Sequence, residues 1–458
     1  MAHNLIARAR KDTVPITVIP ADKVEAWRRY LPASARDWLK GAGFSGKAGA
    51  SVLMPALDGG VDTVVFVTDD ASDMWSWSTL ASQLPLGSYA IKGRLAKSVS
   101  DDAALGWGLS AYEFTRYRKA RVKRPDLVWP RNAERDRVGR MLDAITLVRD
   151  LINTPAEDLG PSELADEFRK VGRGFKAKVR VTTGDALLKA NYPMIHMVGR
   201  ASDDAPRLLD MRWGARGPRI TLVGKGVCFD TGGLDLKPAA GMLRMKKDMG
   251  GAAHALALGQ LIMAARLPVR LRVLIGAVEN AVAGNAYRPW DVLTTRKGIT
   301  VENANTDAEG RLVIGDCLAE ASTEKPDLLL DFATLTGAAR VAVGTGIAAV
   351  FANDDKLYGD LEKHADATGD PVWRLPLHKP YRALIDSKVA DVSSASDGPF
   401  GGAITAALFL QEFVDDDVPW AHFDIMAWNL GSRPGRPTGG EAQGLRAAFA
   451  MIEERFGR

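Results

Sequence analysis

Three charged side chains occupy every second position of the stretch NTDAEGRL at 305–312: Asp307, Glu309 and Arg311. In a helix such a pattern scatters around the axis, whereas in an extended segment positions i, i+2 and i+4 share one face. An extended reading therefore aims all three into one pocket. Two carboxylates side by side repel unless something offsets their charge. A metal cation, a shared proton and a nearby basic group each meet that need. A second stretch, VGKGVCFDTGGLDLKPAAGMLRMKKDMGGAA at 223–253, sets Lys225, Asp230, Lys237 and Asp248 among glycines. Glycine lets backbone and ligand approach closely. Charged groups in such a segment are expensive to bury unless paired or metal-bound. Asp230, Asp248, Asp307 and Glu309 carry four negative charges, which two divalent cations would balance.

The elements around these residues read as alternating strands and helices. Strands are expected at 178–184, 219–226, 269–280, 326–337 and 419–428, and helices at 250–266, 310–323 and 403–414. The strand at 219–226 is read as running into a glycine turn. Such alternation predicts a mixed, mainly parallel sheet flanked by helices. Ligands of such sheets sit beyond the carboxyl ends of the strands, where these polar residues fall. Further upstream, 51–57 and 62–70 read as strands of a separate N-terminal α/β domain over 1–130. Apolar residues at helical spacing from Val138 to Val148 predict a linker helix within 131–155. The catalytic domain then spans 156–458.

Composition narrows the function class. A chain of 458 residues with 46% hydrophobic and 25% charged residues is ordinary for a globular α/β enzyme. Its net charge of +4 gives no general argument for nucleic acid or membrane. Two cysteines, Cys228 and Cys317, imply no disulfide framework, so a cytoplasmic setting is expected. The N-terminal residues lack a signal-peptide pattern and no apolar run is clean enough to span a bilayer. Six histidines disfavour a histidine-rich zinc site, so oxygen ligands should dominate any metal site.

The two chemical stretches resemble the signatures of the leucyl aminopeptidase family, the dinuclear-metal M17 aminopeptidases. The resemblance continues through DFATLTGA, WRLPL, GAITAALFLQEFV and WAHFDI, over roughly 135–430. It implies a hydrolase that removes the first residue from short peptides with a free N-terminus. It implies Lys225, Asp230, Asp248, Asp307 and Glu309 as ligands of two divalent ions, Mn2+ or Zn2+, with Mg2+ possible at the exchangeable site. Within that set Asp230 and Glu309 bridge, Lys225 and Asp248 belong to the tighter site, and Asp307 to the exchangeable one. Lys237 is implied to stabilise the oxyanion, and Arg311 to hold a bicarbonate ion serving as general base. Met245, Thr334, Leu335 and Gly337 are similar to positions lining the substrate pocket. A homohexamer is implied, with no membrane partner.

The chain departs from the family after WAHFDI, where Met426 begins MAWN in place of a usual Ala-Gly. A larger side chain there narrows the pocket for the first residue and speaks against a simple leucine preference. His254, His378 and His422 are expected to be structural, and Lys246 and Lys247 to pair with nearby acids. A phosphate-binding loop at 219–226 is disfavoured, because the GxxxxGK[ST] spacing is absent. One basic run, 116–124, offers a nucleic-acid or partner-binding role beside or instead of catalysis. A single run of this kind is more simply a solvated face, so nucleic acid is not the expected partner.

Overall fold

The computed structural model describes residues 3–57, 59–121 and 123–457. The chain divides into two compact units, Met1–Thr146 with Gly431–Thr438, and Leu147–Leu430 with Gly439–Arg458. A helix, Arg135–Asn153, contributes residues to both.

The first unit is built on a six-stranded sheet. Its order is Leu5–Ile6, Asp126–Val128, Ser88–Ile91, Val14–Pro20, Val61–Thr68 and Ser51–Pro55. All neighbours are parallel except the last pair. The tryptophan-rich stretch becomes the helix Met74–Gln83, started by Asp73, whose carboxylate accepts from Trp75 N and Ser76 N. Its Trp77 packs fully buried with Phe66 and Trp107 in the core. The described residues of the basic run form neither helix nor strand. Arg116, Arg118, Lys119 and Arg121 face solvent, and the segment folds back on Glu113, which accepts from Arg121 N.

The second unit carries an eight-stranded sheet. Its order is Val372–Arg374, Ala348–Ala352, Trp420–Asp424, Leu328–Ala333, Arg219–Asp230, Arg270–Asn280, Arg207–Trp213 and Lys178–Thr183. The four central strands are mutually parallel and the sheet is mixed overall. Their carboxyl ends, Asp230, Asn280, Ala333 and Asp424, therefore emerge along one edge. Helix Gly250–Ala264 is buried almost all round, as its unbroken apolar composition requires. Helix Glu309–Ser322 is buried almost throughout as well.

Two sequence expectations change here. The strand at 219–226 does not turn at its glycines but continues to Asp230. Gly224 and Gly226 serve close packing instead. A Cβ on Gly224 would lie 2.7 Å from Ala252 Cα, and one on Gly226 2.5 Å from Gly276 O. The segment 305–312 is not extended. Thr306–Ala308 is a short 3-10 turn and Glu309 opens the α-helix. Asp307, Glu309 and Arg311 therefore do not share a strand face.

Gly251 is the tightest of these contacts. A Cβ there would stand 1.9 Å from Phe332 O and 2.8 Å from Lys225 N. Backbone cannot yield as a flexible side chain can, so Gly251→Ala is expected to destabilise this unit by about 3 kcal/mol. Thermal unfolding monitored by tryptophan fluorescence checks this; an unchanged midpoint would contradict the packing described.

Candidate active site

Each sequence-predicted acid is held by an element that ends or begins at the carboxyl edge of the sheet. Asp230 closes its strand, 2% exposed. Its Oδ1 accepts from Gly232 N and from Asn280 Nδ2, both at 2.8 Å. Asp248 lies in the turn Met245–Met249 that feeds the buried helix, and its Oδ1 accepts from Thr334 Oγ1 at 2.7 Å. Asp307 sits in the turn before helix Glu309–Ser322. That turn is tied to the glycine loop through Thr306, whose hydroxyl donates to Gly232 O at 2.6 Å and accepts from Asp235 N at 2.8 Å. The loop needs glycine at 232 and 233, where φ is +91° and +66°.

The carboxylates converge. One oxygen each from Asp230, Asp307 and Glu309 fall within 4.8 Å of one another. Lys225 Nζ lies 2.6 Å from Asp248 Oδ2 and 2.8 Å from Glu309 Oε1. Lys237 Nζ lies 2.7 Å from Asp230 Oδ2 and ion-pairs with Asp307. Lys225 reaches this point by crossing Gly310, where a Cβ would meet its Cε at 2.5 Å. The cluster thus sets four acids against two lysines.

That imbalance shows in the protonation of the group. Burial, then the charge of Asp230, pushes Glu309 up to about 8. Burial and Asp230 also raise Asp307. Burial opposes ionisation of Asp248, but Lys225 and Lys247 outweigh it and hold its carboxyl below the usual range. Burial likewise opposes the charge on Lys225, yet Asp248, Glu309 and Asp230 raise it. Glu309 Oε2 is buried with no hydrogen-bond partner. An orphaned carboxylate oxygen within an under-neutralised set of hard oxygen donors fits divalent metal.

A cavity of about 250 Å³ opens beside the acids. Met245, Thr334, Leu335, Gly337 and Met426 all line it together with Lys225, Asp230, Lys237, Asp248, Asp307 and Glu309. Arg311 is not among its lining residues. Its Nη1 donates to Ser394 O at 2.7 Å, while its Nε is buried without a hydrogen-bond partner. Burial draws Arg311 down to about 10 against the pull of Glu309 and Asp424.

Several lining residues carried no readable signal. Asp424 accepts from Leu335 N and Thr336 N through Oδ1 and from Thr336 Oγ1 through Oδ2. Arg340 reaches the cavity from helix Gly337–Val343. Lys247 does not pair with an acid as expected. It is 4% exposed, lines the cavity and has no side-chain hydrogen bond or ion pair among the described residues. Burial, despite nearby Asp248, lowers it to about 8. Lys246 donates instead to Asn153 O at 2.7 Å and covers the Trp428 ring. His254 and His422 are engaged within the core. His254 bonds Gly250 O through Nδ1 and accepts from Gln443 N at Nε2, while buried His422 pairs with Asp331.

Comparison with known proteins follows the same division. Residues 146–449 match the family described as cytosol aminopeptidase family, catalytic domain, and 14–130 match the M17 aminopeptidase N-terminal domain. A probable cytosol aminopeptidase of Leifsonia xyli subsp. xyli is 39% identical over 93% of each chain. The crystal structure of a cytosol aminopeptidase from Coxiella burnetii is 47% identical, covers 99% of each chain and superposes with a TM-score of 0.95. The bottromycin maturation enzyme BotP, solved in complex with Mn, is 31% identical over 97% of this chain and 99% of its own, with a TM-score of 0.86. The convergent acids, the lysines between them and the match along both units lead to one conclusion: this chain belongs to the cytosol aminopeptidase family and is a metal-dependent aminopeptidase, a peptide hydrolase.

Proposed function

We propose that the chain removes the first residue from short peptides at a two-metal site held by Lys225, Asp230, Asp248, Asp307 and Glu309. The observation that carries this reading is the under-neutralised set of four carboxylates at the sheet edge, of which Asp230, Asp248 and Glu309 are buried. Glu309 pairs with Lys225 and Asp230 with Lys237, and the two acids bring oxygens within 4.8 Å of each other, which supports the reading that both would serve the two metal positions together. Two bound divalent ions would acidify a water and draw electron density from the scissile carbonyl.

The protein's own groups do the rest. Asp248, buried and fixed by Thr334, is placed to accept from the substrate's free α-amine, which confines cleavage to the first residue. Lys225 would serve as a ligand only with Nζ neutral, a form that cations in place of its present acid partners would favour. Lys237, anchored by Asp230, holds positive charge where the carbonyl oxygen gains negative charge. Arg311 keeps one buried donor, Nε, unspent, which supports its holding an anion such as bicarbonate as general base. It does so from outside the cavity wall, so the anion would lie between Arg311 and the acids. Met245, Thr334, Leu335, Gly337 and Met426 receive the first side chain.

Manganese or zinc, with magnesium at the exchangeable position, suits the oxygen-rich donor set. Family membership supports a homohexamer and a cytoplasmic location. Exposed Trp290, Val341 and Phe400, about 80% accessible each, offer apolar surface for assembly. No helix among the described residues is long and apolar enough to cross a membrane. The test is hydrolysis of an aminoacyl p-nitroanilide panel before chelation, after it, and after Mn2+ is added back. Turnover of free-amine substrates should vanish with chelator and return with metal. N-acetylated substrates should stay intact throughout. Turnover that survives complete metal removal would sink the two-metal reading.

A further inference from the structure

One wall of the cavity is cationic, and no step of the reaction above uses it. Lys247 enters from the turn Met245–Met249, nine-tenths buried and more, and finds no acceptor. Arg340 enters from helix Gly337–Val343 and also makes no ion pair among the described residues. Among the described residues its Nη1 has only the thioether of Met426 within reach, at 3.7 Å, and its Nη2 lies 3.4 Å from the place a Cβ on Gly337 would take. Thioether sulfur is a weak acceptor, so the guanidinium keeps most of its hydrogen-bonding capacity. The stem of Lys247 is buried while its ammonium opens on the cavity, where an anionic group of a ligand can meet it.

The negative groups on this wall are already engaged. Asp424 spends its oxygens on Leu335 N, Thr336 N and Thr336 Oγ1. Asp248 faces Lys225 and Thr334. With the four clustered acids balanced by two divalent ions, Lys247 and Arg340 stand against Asp424 alone, leaving positive charge in excess. Val343, Ile347, Ile425 and Met426 supply apolar surface beside it, suited to a short methylene stem.

We infer that this wall recognises a carboxylate on the substrate, and that the carboxylate is the side chain of the first residue, so that the enzyme prefers peptides beginning with glutamate or aspartate. The placement supports the side chain over the far end of the peptide. Arg340 Nη1 lies 3.7 Å from the sulfur of Met426, and its Nη2 3.4 Å from where a Cβ on Gly337 would stand; both residues are proposed to receive the first side chain. The inference rests on that pocket assignment and on the aminopeptidase activity.

The experiment uses the full-length, Mn2+-loaded chain and aminoacyl aminomethylcoumarins carrying Glu, Gln, Asp, Asn, Met and Leu. These have no C-terminal carboxylate. The unaltered enzyme should show kcat/KM ratios for Glu over Gln and Asp over Asn of about ten or more, because each pair is isosteric and differs in charge. Lys247→Met and Arg340→Met should each bring the ratio down about tenfold. The ratio within one variant cancels any general loss of activity. Arg340 is exposed, so Arg340→Glu should fold even where Lys247→Met does not, and it should invert the ratio below one. Ratios near one in an enzyme that hydrolyses Met or Leu substrates would overturn the inference and leave the aminopeptidase reading standing. Failure to hydrolyse any member would overturn both. A second arm compares Leu-Gly with Leu-Gly amide. Dependence on Lys247 and Arg340 confined to the free acid would move the recognised carboxylate to the peptide's C-terminus and overturn the assignment made here.

Discussion

Glu309→Gln is expected to lower kcat/KM by roughly three orders of magnitude, equivalent to about 4 kcal/mol of transition-state stabilisation. Glutamine keeps the shape of a side chain that is 1% exposed at the start of its helix. It removes the charge that faces Lys225 at 2.8 Å, and it replaces one carboxylate oxygen with a donor. A site that needs four negative charges for two divalent ions then has three. Bound manganese per chain, measured by elemental analysis after gel filtration, should fall from two to one or fewer. Two retained ions with normal turnover would remove Glu309 from the site.

The same residue predicts a pH effect in protein stripped of metal. The folded chain holds Glu309 at about 8, above its ordinary 4.5, because of burial and then Asp230. A raised folded pKa means the folded state binds the proton more tightly than the unfolded one. Its stabilising contribution is complete below about 4.5 and is lost as pH rises through about 8. Stripped protein should therefore lose thermal stability over that window, and Mn2+ should restore it. In Glu309→Gln the loss should be smaller, because no proton leaves position 309.

Lys237→Met is the second large effect. Removing one pre-placed cation from a developing oxyanion costs about 10²–10³ in kcat in comparable sites. KM should change little, since the interaction is proposed to strengthen only as charge develops on the carbonyl. The lysine is well placed for this. Its amide donates to Thr231 O at 2.9 Å, closing the glycine loop, and its Nζ stands between Asp230 and Asp307. Burial opposes its charge, but Asp230 leads the groups that raise its pKa. It should thus remain cationic across the working range, and the loss in kcat should be constant with pH. A normal kcat, or a loss that appears only as raised KM, would sink the oxyanion role.

Much of the architecture was legible before any coordinates. Strand–helix alternation predicts the parallel core, because buried parallel strands read as apolar runs and their crossovers as helices. Polar residues interrupting the ends of such runs, Asp230 and Thr334 among them, mark the carboxyl edge. The identity of the four acids followed from family resemblance; Asp230, Asp307 and Glu309 stand within 4.8 Å of one another, and Asp248 joins them through Lys225. The spacing argument at 305–312 was the weaker guide. Alternation by two suggested a strand, but Asn305 accepts from Asp307 N and starts a turn that Glu309 continues as helix. Local capping decided the backbone there, and side-chain periodicity did not.

The sequence by itself determined which groups can do the chemistry: four acids, two lysines and the glycines that admit them, all within two short stretches whose local order carries the information. Only the tertiary structure decided what stands opposite. Lys247, Arg340, Asp424 and Met426 come from three separate segments and meet at one cavity wall. Of these only Met426 was marked as a pocket residue by its departure from the family; the spacing and types of Lys247, Arg340 and Asp424 did not announce the meeting. Lys247 was expected to pair with an acid, as a lysine beside an aspartate does on a surface. It stays unpaired because Asp248 is turned toward Lys225 and Thr334, a choice made by the crossing of strand, turn and helix.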